Sequence, residues 1–307
     1  MKLLAGLVAG LASIGAVNAW PVEDEGLEVV QPRQAGLQQV SGFGDNPSNT
    51  KMYMYVPATL AESPAIIVAI HYCTGSANSY YSGSPYARLA DTKGFIVIYP
   101  ESPYSGTCWD VSSREALSHN GTGDSNSIAN MVYYTIDKYA ADPAKVFVTG
   151  SSSGAMMTNV LAATYPEIFA AGIVYSGVPA GCFMSSSGGV NAWNSTCATG
   201  QSTTTAEHWA QVVKDMYPEY DGPRPRMQIY HGSADTTLAA PNYQETIKQW
   251  AGVFAYDAEN PESAEQNTPQ SGYTTSTYGD HLVGIYAQNV GHTVPIRGDD
   301  DMLFFGL

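Results

Sequence analysis

A mostly parallel α/β sheet with helices on both faces is the architecture this sequence predicts, and three observations predict it. Short unbroken apolar runs such as Ala65–His71 (AIIVAIH) and Phe95–Tyr99 (FIVIY) read as strands covered on both sides. Segments with apolar residues at helical spacing separate these runs, which is the pattern of strand, crossover helix, strand. The chain has 307 residues, 44% of them apolar, which is enough to fill one such domain.

Taken in order, Lys51–Val56 (KMYMYV) alternates like a half-exposed strand, and Ala65–His71 and Phe95–Tyr99 follow as buried strands. Asp124–Ala140 carries Ile128, Met131, Val132 and Ile136 on one helical face, with Asp124 or Ser125 as the expected cap. Val146–Val148 is a short strand, and a helix from Ser153 to Thr164 stops before Pro166. Strands at Gly172–Tyr175 and Met227–Tyr230, a helix around Tyr243–Phe254 and a last strand at Leu282–Ala287 complete the series. Glu259–Thr275 is polar and reads as a surface loop. No internal repeat interrupts the pattern.

Lys plus Arg number 13 and Asp plus Glu 28, a net charge of −15, so the chain lacks the basic surface that nucleic acid or anionic lipid requires. Charged residues are 13% of the chain against roughly 25% in an average soluble domain. Disorder is excluded by the apolar content and 21 tyrosines. The surface must draw its polarity from Ser, Thr, Asn, Gln and Tyr, a profile suited to a neutral, hydroxyl-rich substrate.

Lys2 followed by the apolar run Leu3–Val17, with small residues at Val17 and Ala19, reads as a signal peptide over residues 1–19 cleaved before Trp20. The run is shorter than the about 20 residues of a membrane span. Residues 20–33, acidic and aperiodic, form either a propeptide ending at Pro32-Arg33 or an unstructured N-terminus. Residues 34–307 form the single catalytic domain, and the expected location is secreted and extracellular.

Four cysteines in an oxidising compartment imply disulfides, and four allow three pairings among which sequence does not choose. Cys182 with Cys197 is the local clip around a Gly/Ser/Asn-rich loop, which leaves Cys73 with Cys108. Metal binding would call for CxxC or clustered His spacing, and neither occurs. Asn120-Gly-Thr122 and Asn194-Ser-Thr196 are glycosylation acceptors, whereas Asn46 is followed by Pro47 and is not.

Gly150-Ser151-Ser152-Ser153-Gly154 matches G-x-S-x-G between a strand and a helix, the context of a nucleophile on a sharp turn. Outside that context the string would only be a Ser-rich turn capping a helix. A serine hydroxyl needs a base, and the base needs a carboxylate to orient it. In chain order Ser, Asp, His, Asp235 follows the strand MQIYHG and His292 follows LVGIYA. Asp215, Asp221 and Asp257 lack a preceding strand. His71 and His231 end strands and read as structural hydrogen-bonders, and His119, His208 and His281 read as surface residues. The triad is therefore Ser152, Asp235 and His292. Oxyanion donors are expected from the backbone N–H of Ser153 and from the loop His71-Tyr72-Cys73-Thr74-Gly75, with the Cys73 N–H favoured.

The segments IHYCTGSANSYYSGSPYA, GFIVIYPESPYSGTCWDVSS, NGTGDSNSIANMV, VTGSSSGAMMTNV, YSGVPAGCF, MQIYHGSADTTL and GHTVPIRGD together resemble the fungal acetylxylan esterases of the first carbohydrate esterase family. The resemblance runs from about Gly36 to Gly306, and extends more distantly to feruloyl esterases and extracellular polyhydroxybutyrate depolymerases. It implies an α/β-hydrolase fold without a large lid, no cofactor and the removal of acetyl groups from xylan; a monomer without metal is expected. By motif it places the nucleophile on Ser152, the acid on Asp235, the base on His292, the oxyanion loop on Tyr72-Cys73 and a tryptophan beside the second disulfide on Trp193. Some relatives append a Cys-rich cellulose-binding module. With no Cys beyond Cys197 and 15 residues after His292, none is expected here.

Tyr72, Tyr80, Tyr81, Tyr104, Trp109 and Trp193 are candidates to line the sugar side, with simple packing as the alternative for each. Acetyl transfer needs only a small acyl slot, feruloyl transfer a deep aromatic pocket, and polyester depolymerisation an apolar groove. The expected site is open and shallow. A reading from another class, an inactive hydrolase fold used for binding, would require a lost triad member, and all three are present in order.

Overall fold

The structure, a computed structural model, describes residues 36–307, so the expected signal peptide over residues 1–19 and the propeptide over residues 20–33 lie outside the described residues. The described residues build around one ten-stranded sheet. Its strands are β1 (Gln38–Val40), β2 (Lys51–Tyr55), β3 (Ile66–Ile70), β4 (Ile96–Glu101), β5 (Val146–Ser151), β6 (Ala171–Tyr175), β7 (Arg226–Gly232), β8 (Ser263–Gln266), β9 (Tyr273–Thr277) and β10 (Leu282–Ala287). They lie in the order β1-β2-β4-β3-β5-β6-β7-β10-β9-β8. The six from β4 to β10 are parallel, and β1, β2, β9 and β8 extend the two edges antiparallel.

The helices are α1 (Ala77–Gly83), α2 (Tyr86–Lys93), α3 (Asp124–Tyr139), α4 (Ser153–Thr164), α5 (Ser195–Ala198), α6 (Ala206–Asp215), α7 (Pro241–Phe254) and α8 (Gly298–Phe305). The alternation of strand side chains divides the core in two. Ile66, Val68 and Ile70 of β3 pack with α3, α4, α6 and α7, while Ile67 and Ala69 pack with α1, α2 and α8. Every residue of β3 is buried, as a strand covered on both faces requires.

Two expectations need correction. Glu259–Thr275 is not loop throughout: β8 and the start of β9 lie in it, and they pair antiparallel. All four β8 residues are exposed, so no buried face imposes an apolar alternation and the strand is silent in the sequence. The cap of α3 is Gly123, not Asp124 or Ser125. Asp124 is the first helical residue and turns its carboxylate inward, accepting from the Asp110 amide at 3.0 Å and from the hydroxyls of Thr50 and Tyr104.

The topology creates the crevice. Strand β3 is followed by helices on one face and its neighbour β5 by α4 on the other, so their outgoing loops diverge. Ligand sites of open α/β sheets form at the carboxyl ends of strands where the chain divides in this way.

Candidate active site

Ser152 sits between β5 and α4 with φ 55° and ψ −119°, backbone angles that cost a non-glycine residue strain. The turn persists because its surroundings hold it: the Ser152 amide donates to the Tyr175 carbonyl at 2.9 Å, and the Ser152 carbonyl accepts from Met156 at 3.0 Å. Two glycines let the chain crowd there. A Cβ on Gly154 would lie 2.1 Å from the Ile70 carbonyl oxygen, and one on Gly150 would lie 2.4 Å from the Gly154 backbone.

The loops after β7 and β10 bring the partners to this turn. His292 Nε2 lies 2.8 Å from Ser152 Oγ, and His292 Nδ1 lies 2.7 Å from Asp235 Oδ2. With Nδ1–H donating to the carboxylate, Nε2 is left to accept the serine proton. Asp235 is buried, and burial works against its charge. The hydrogen bond from His292 and that from the Leu238 amide nevertheless hold its carboxyl below the ordinary carboxylate range. A hydroxyl, an imidazole and a carboxylate aligned in this way can move a proton off a nucleophile and return it to a leaving group.

The residues expected to act as structural hydrogen-bonders support this line. His231 is fully buried, which pushes its imidazole toward the neutral form, and Nε2–H donates to the Leu238 carbonyl at 2.8 Å. Burial likewise lowers His71, whose Nδ1 donates to the Tyr72 carbonyl at 2.7 Å while Nε2 accepts from the Ser102 amide at 3.2 Å. His71 thus pins the loop that carries Tyr72 and Cys73. His208 and His281 are exposed. His119 is half-buried instead: it stacks on Tyr217 at 3.6 Å and its Nδ1 lies 2.7 Å from the Thr164 carbonyl. Its polar sequence neighbours hid that tertiary contact.

The amides of Cys73 and Ser153 hydrogen-bond to no other described residue, and both residues line the cleft that holds Ser152 and His292. Disulfides join Cys73 to Cys108 and Cys182 to Cys197. The cleft is a cavity of about 630 Å³, within the range of whole small-molecule sites and more than a bare acyl slot. Its inner wall is apolar, with Val111, Met156, Phe183 and Leu238, none of which carries a signal readable in sequence.

The aromatic candidates divide. Tyr72 (39% exposed) and Trp193 (60% exposed) stand at the cleft, and Trp193 packs edge-on against Phe183 at 5.2 Å. Trp109 also lines the cleft but is 1% exposed, and its indole N–H donates to the His71 carbonyl at 2.8 Å, so it is a wall and not a stacking face. Tyr80, Tyr81 and Tyr104 do not reach the cleft. Tyr80 is buried against Ser151 Oγ, Tyr81 packs on Tyr55 and Tyr99, and Tyr104 donates to Asp124. Of the glycosylation candidates, Asn120 is exposed, whereas Asn194 is half-buried and uses its side chain to cap α5 and to donate to the Cys182 carbonyl. Among the described residues no group of three His, Cys, Asp or Glu side chains is arranged to hold a metal ion, and no helix is long and apolar enough to cross a membrane.

Comparison with known proteins places this geometry in a family. Residues 50–260 match the family model described as esterase PHB depolymerase. A probable acetylxylan esterase A of Aspergillus clavatus is 69% identical over 275 residues, covering 90% of this chain and 89% of that protein. Acetylxylan esterase A of Aspergillus oryzae is 65% identical over 275 residues, with 90% of each chain covered. The solved acetyl xylan esterase from Aspergillus awamori superposes with a TM-score of 0.88 at 66% identity, over 88% of this chain and 99% of that one. The feruloyl esterase module from Clostridium thermocellum, 12% identical with a TM-score of 0.54 over 84% of this chain and 82% of that one, shares the fold alone. The protein has the α/β-hydrolase fold of these esterases, and the chain belongs to the fungal acetylxylan esterase family of carboxylic ester hydrolases.

Proposed function

We propose that this protein is a secreted serine esterase that removes acetyl groups from acetylated xylan. The observation that carries the mechanism is the unbroken line from Ser152 Oγ through His292 to Asp235, with spacings of 2.8 and 2.7 Å. Ser152 Oγ attacks the acetyl carbonyl as His292 Nε2 takes its proton, and Asp235 holds the imidazole tautomer. The resulting oxyanion is received by the amides of Cys73 and Ser153. His292 returns the proton to the departing sugar oxygen, leaving an acetyl-enzyme. A water deprotonated by His292 then releases acetate and restores Ser152.

The substrate follows from the names of close relatives and from a cleft open to solvent with Tyr72 and Trp193 at its rim. In this reading the protein acts as a monomer, and the mechanism calls on no cofactor or metal. The apolar inner wall and the cavity of about 630 Å³ favour one competing reading, a site that also accepts larger acyl groups. Measuring kcat/KM for acetyl, butyryl and feruloyl esters, together with acetate release from acetylated xylan, decides between them. Acetyl esters are expected to lead, with rates falling as the acyl group lengthens. Faster cleavage of methyl ferulate would overturn the acetyl reading and leave the triad standing.

The disulfides supply a second prediction. Bridges with sequence separations of 35 and 15 are each expected to stabilise by about 3–4 kcal/mol through loop closure. Replacing Cys73 and Cys108 with serine should lower kcat more than replacing Cys182 and Cys197, because Cys73 presents a candidate oxyanion donor. Equal losses of kcat in the two double variants would separate that bridge from the oxyanion site.

A further inference from the structure

The loop closed by the Cys182–Cys197 bridge carries Trp193 to the rim of the cleft, yet its tip is poorly supported by packing. Met184, Val190 and Trp193 are all more than half exposed, at 54%, 55% and 60%. Hydrogen bonds must therefore hold it, and among the described residues those that leave residues 184–193, apart from a local turn bond from the Met184 amide to the Gly181 carbonyl at 3.0 Å, end on Asp110 or Ser112. The Asn191 amide donates to Asp110 Oδ1 at 2.9 Å, and the Ala192 amide donates to Ser112 Oγ at 2.7 Å. The Ser185 amide donates to the Ser112 carbonyl at 2.8 Å, and Ser112 Oγ also lies 2.9 Å from the Gly189 carbonyl.

Asp110 is 1% exposed, and its carboxylate is saturated with donors. Besides Asn191 it accepts from the amides of Ser112 (3.2 Å) and Ser113 (3.1 Å) and from their hydroxyls (3.0 and 2.5 Å). The serine contacts are local and would close a turn by themselves. The Asn191 contact spans 81 residues and reaches the segment that ends in Trp193. The other end of this mount is fixed to the nucleophile's turn: the Trp109 amide donates to Ser153 Oγ at 2.8 Å, and the Asp110 amide donates to Asp124 Oδ2 at 3.0 Å.

We propose that Asp110, assisted by Ser112, is a positioning residue that holds the Asn191–Trp193 wall at a set distance from Ser152 and so determines how well the cleft grips a polysaccharide chain. This rests on the reading that Trp193 meets the sugar. A buried charge-assisted hydrogen bond holds geometry far better than an exposed loop could on its own.

Kinetics on acetylated xylo-oligosaccharides and on ethyl acetate, which is too small to reach the rim, test the proposal. In Asp110→Asn the KM for the oligosaccharide should rise about tenfold while kcat changes less than about twofold, and kcat/KM for ethyl acetate should hold within the same limit. In a Trp193→Ala background the Asp110→Asn effect should disappear, because there is no wall left to place. Ser112→Ala carries the same test through the Ala192 amide if Asp110→Asn fails to fold. Equal losses on both substrates, or effects that add in the double variant, would overturn the positioning role. A Trp193→Ala variant with unchanged oligosaccharide KM would overturn it too, by removing the sugar-binding reading of Trp193 while leaving the esterase intact.

Discussion

Ser152→Ala should lower kcat on acetyl esters by on the order of a thousandfold or more while the protein stays folded. The loss follows from what remains. Alanine keeps the Cβ and backbone, so the Ser152 amide still donates to the Tyr175 carbonyl and the turn at φ 55° is no more strained than before. The one atom removed is the oxygen 2.8 Å from His292 Nε2. Without it no acyl-enzyme forms, and catalysis falls back on the oxyanion amides and on water activated by His292. KM should change little, since the hydroxyl is spent on the transition state and not on holding the ground state. Turnover on a soluble acetate ester, paired with a thermal melt, checks both halves, and an organophosphonate probe should label wild type only. Near-wild-type turnover in a folded variant would remove Ser152 from its role.

The sheet centre was legible because burial on both faces writes unbroken apolar runs such as Ala65–His71, whereas β8 and the half-buried histidine at 119 were not. Their structure is decided by partners far away in sequence: β9 for the exposed strand, Tyr217 for the imidazole. The hydrogen-bonded line from Ser152 through His292 to Asp235 was legible for a different reason. Chemistry restricts residue type and topology restricts order, so one serine on a strand-to-helix turn leaves few carboxylates and histidines at later strand ends. Walls of the cleft obey no such restriction. Met156 and Val111 are ordinary apolar residues, and Asp110 resembles any other aspartate until Asn191 is found against it. Among the tyrosines, sequence could not separate the exposed Tyr72 from the buried Tyr80: Tyr72 lies in the loop after β3 and Tyr80 on α1, which follows that loop, and both stand in the same Ser- and Gly-rich stretch.

Asp301→Asn should gain stability relative to the wild type as pH rises from about 4 to about 7. Asp301 on α8 is fully buried, and burial raises its carboxyl from the ordinary 3.8 to about 7 despite hydroxyl donors at 2.6 Å from Tyr175 and 2.8 Å from Tyr86. The folded chain therefore holds this proton more tightly than the unfolded chain. The stability it contributes is fully present below about pH 4 and is lost as pH climbs through about 7. That interval corresponds to roughly 4 kcal/mol. Asn mimics the protonated acid in shape, accepting from one tyrosine through its oxygen and donating to the other through its amide. Unfolding free energies of wild type and variant from denaturant titrations between pH 4 and 8 should therefore diverge in the variant's favour by an amount of that order. Asp124, pushed up by burial to about 6, adds a slope of the same sign, and His71 and His231, lowered by burial, add slopes of the opposite sign; both proteins keep all three, so the difference between them isolates Asp301. The cluster also reaches the site: the Tyr175 hydroxyl accepts from the Arg297 amide at 3.0 Å, and the neighbouring Ser176 hydroxyl accepts from the Val294 amide at 3.1 Å, two residues after His292. Parallel stability curves for the two proteins would mean that Asp301 is ionised throughout, with its two tyrosines sufficient to hold the charge.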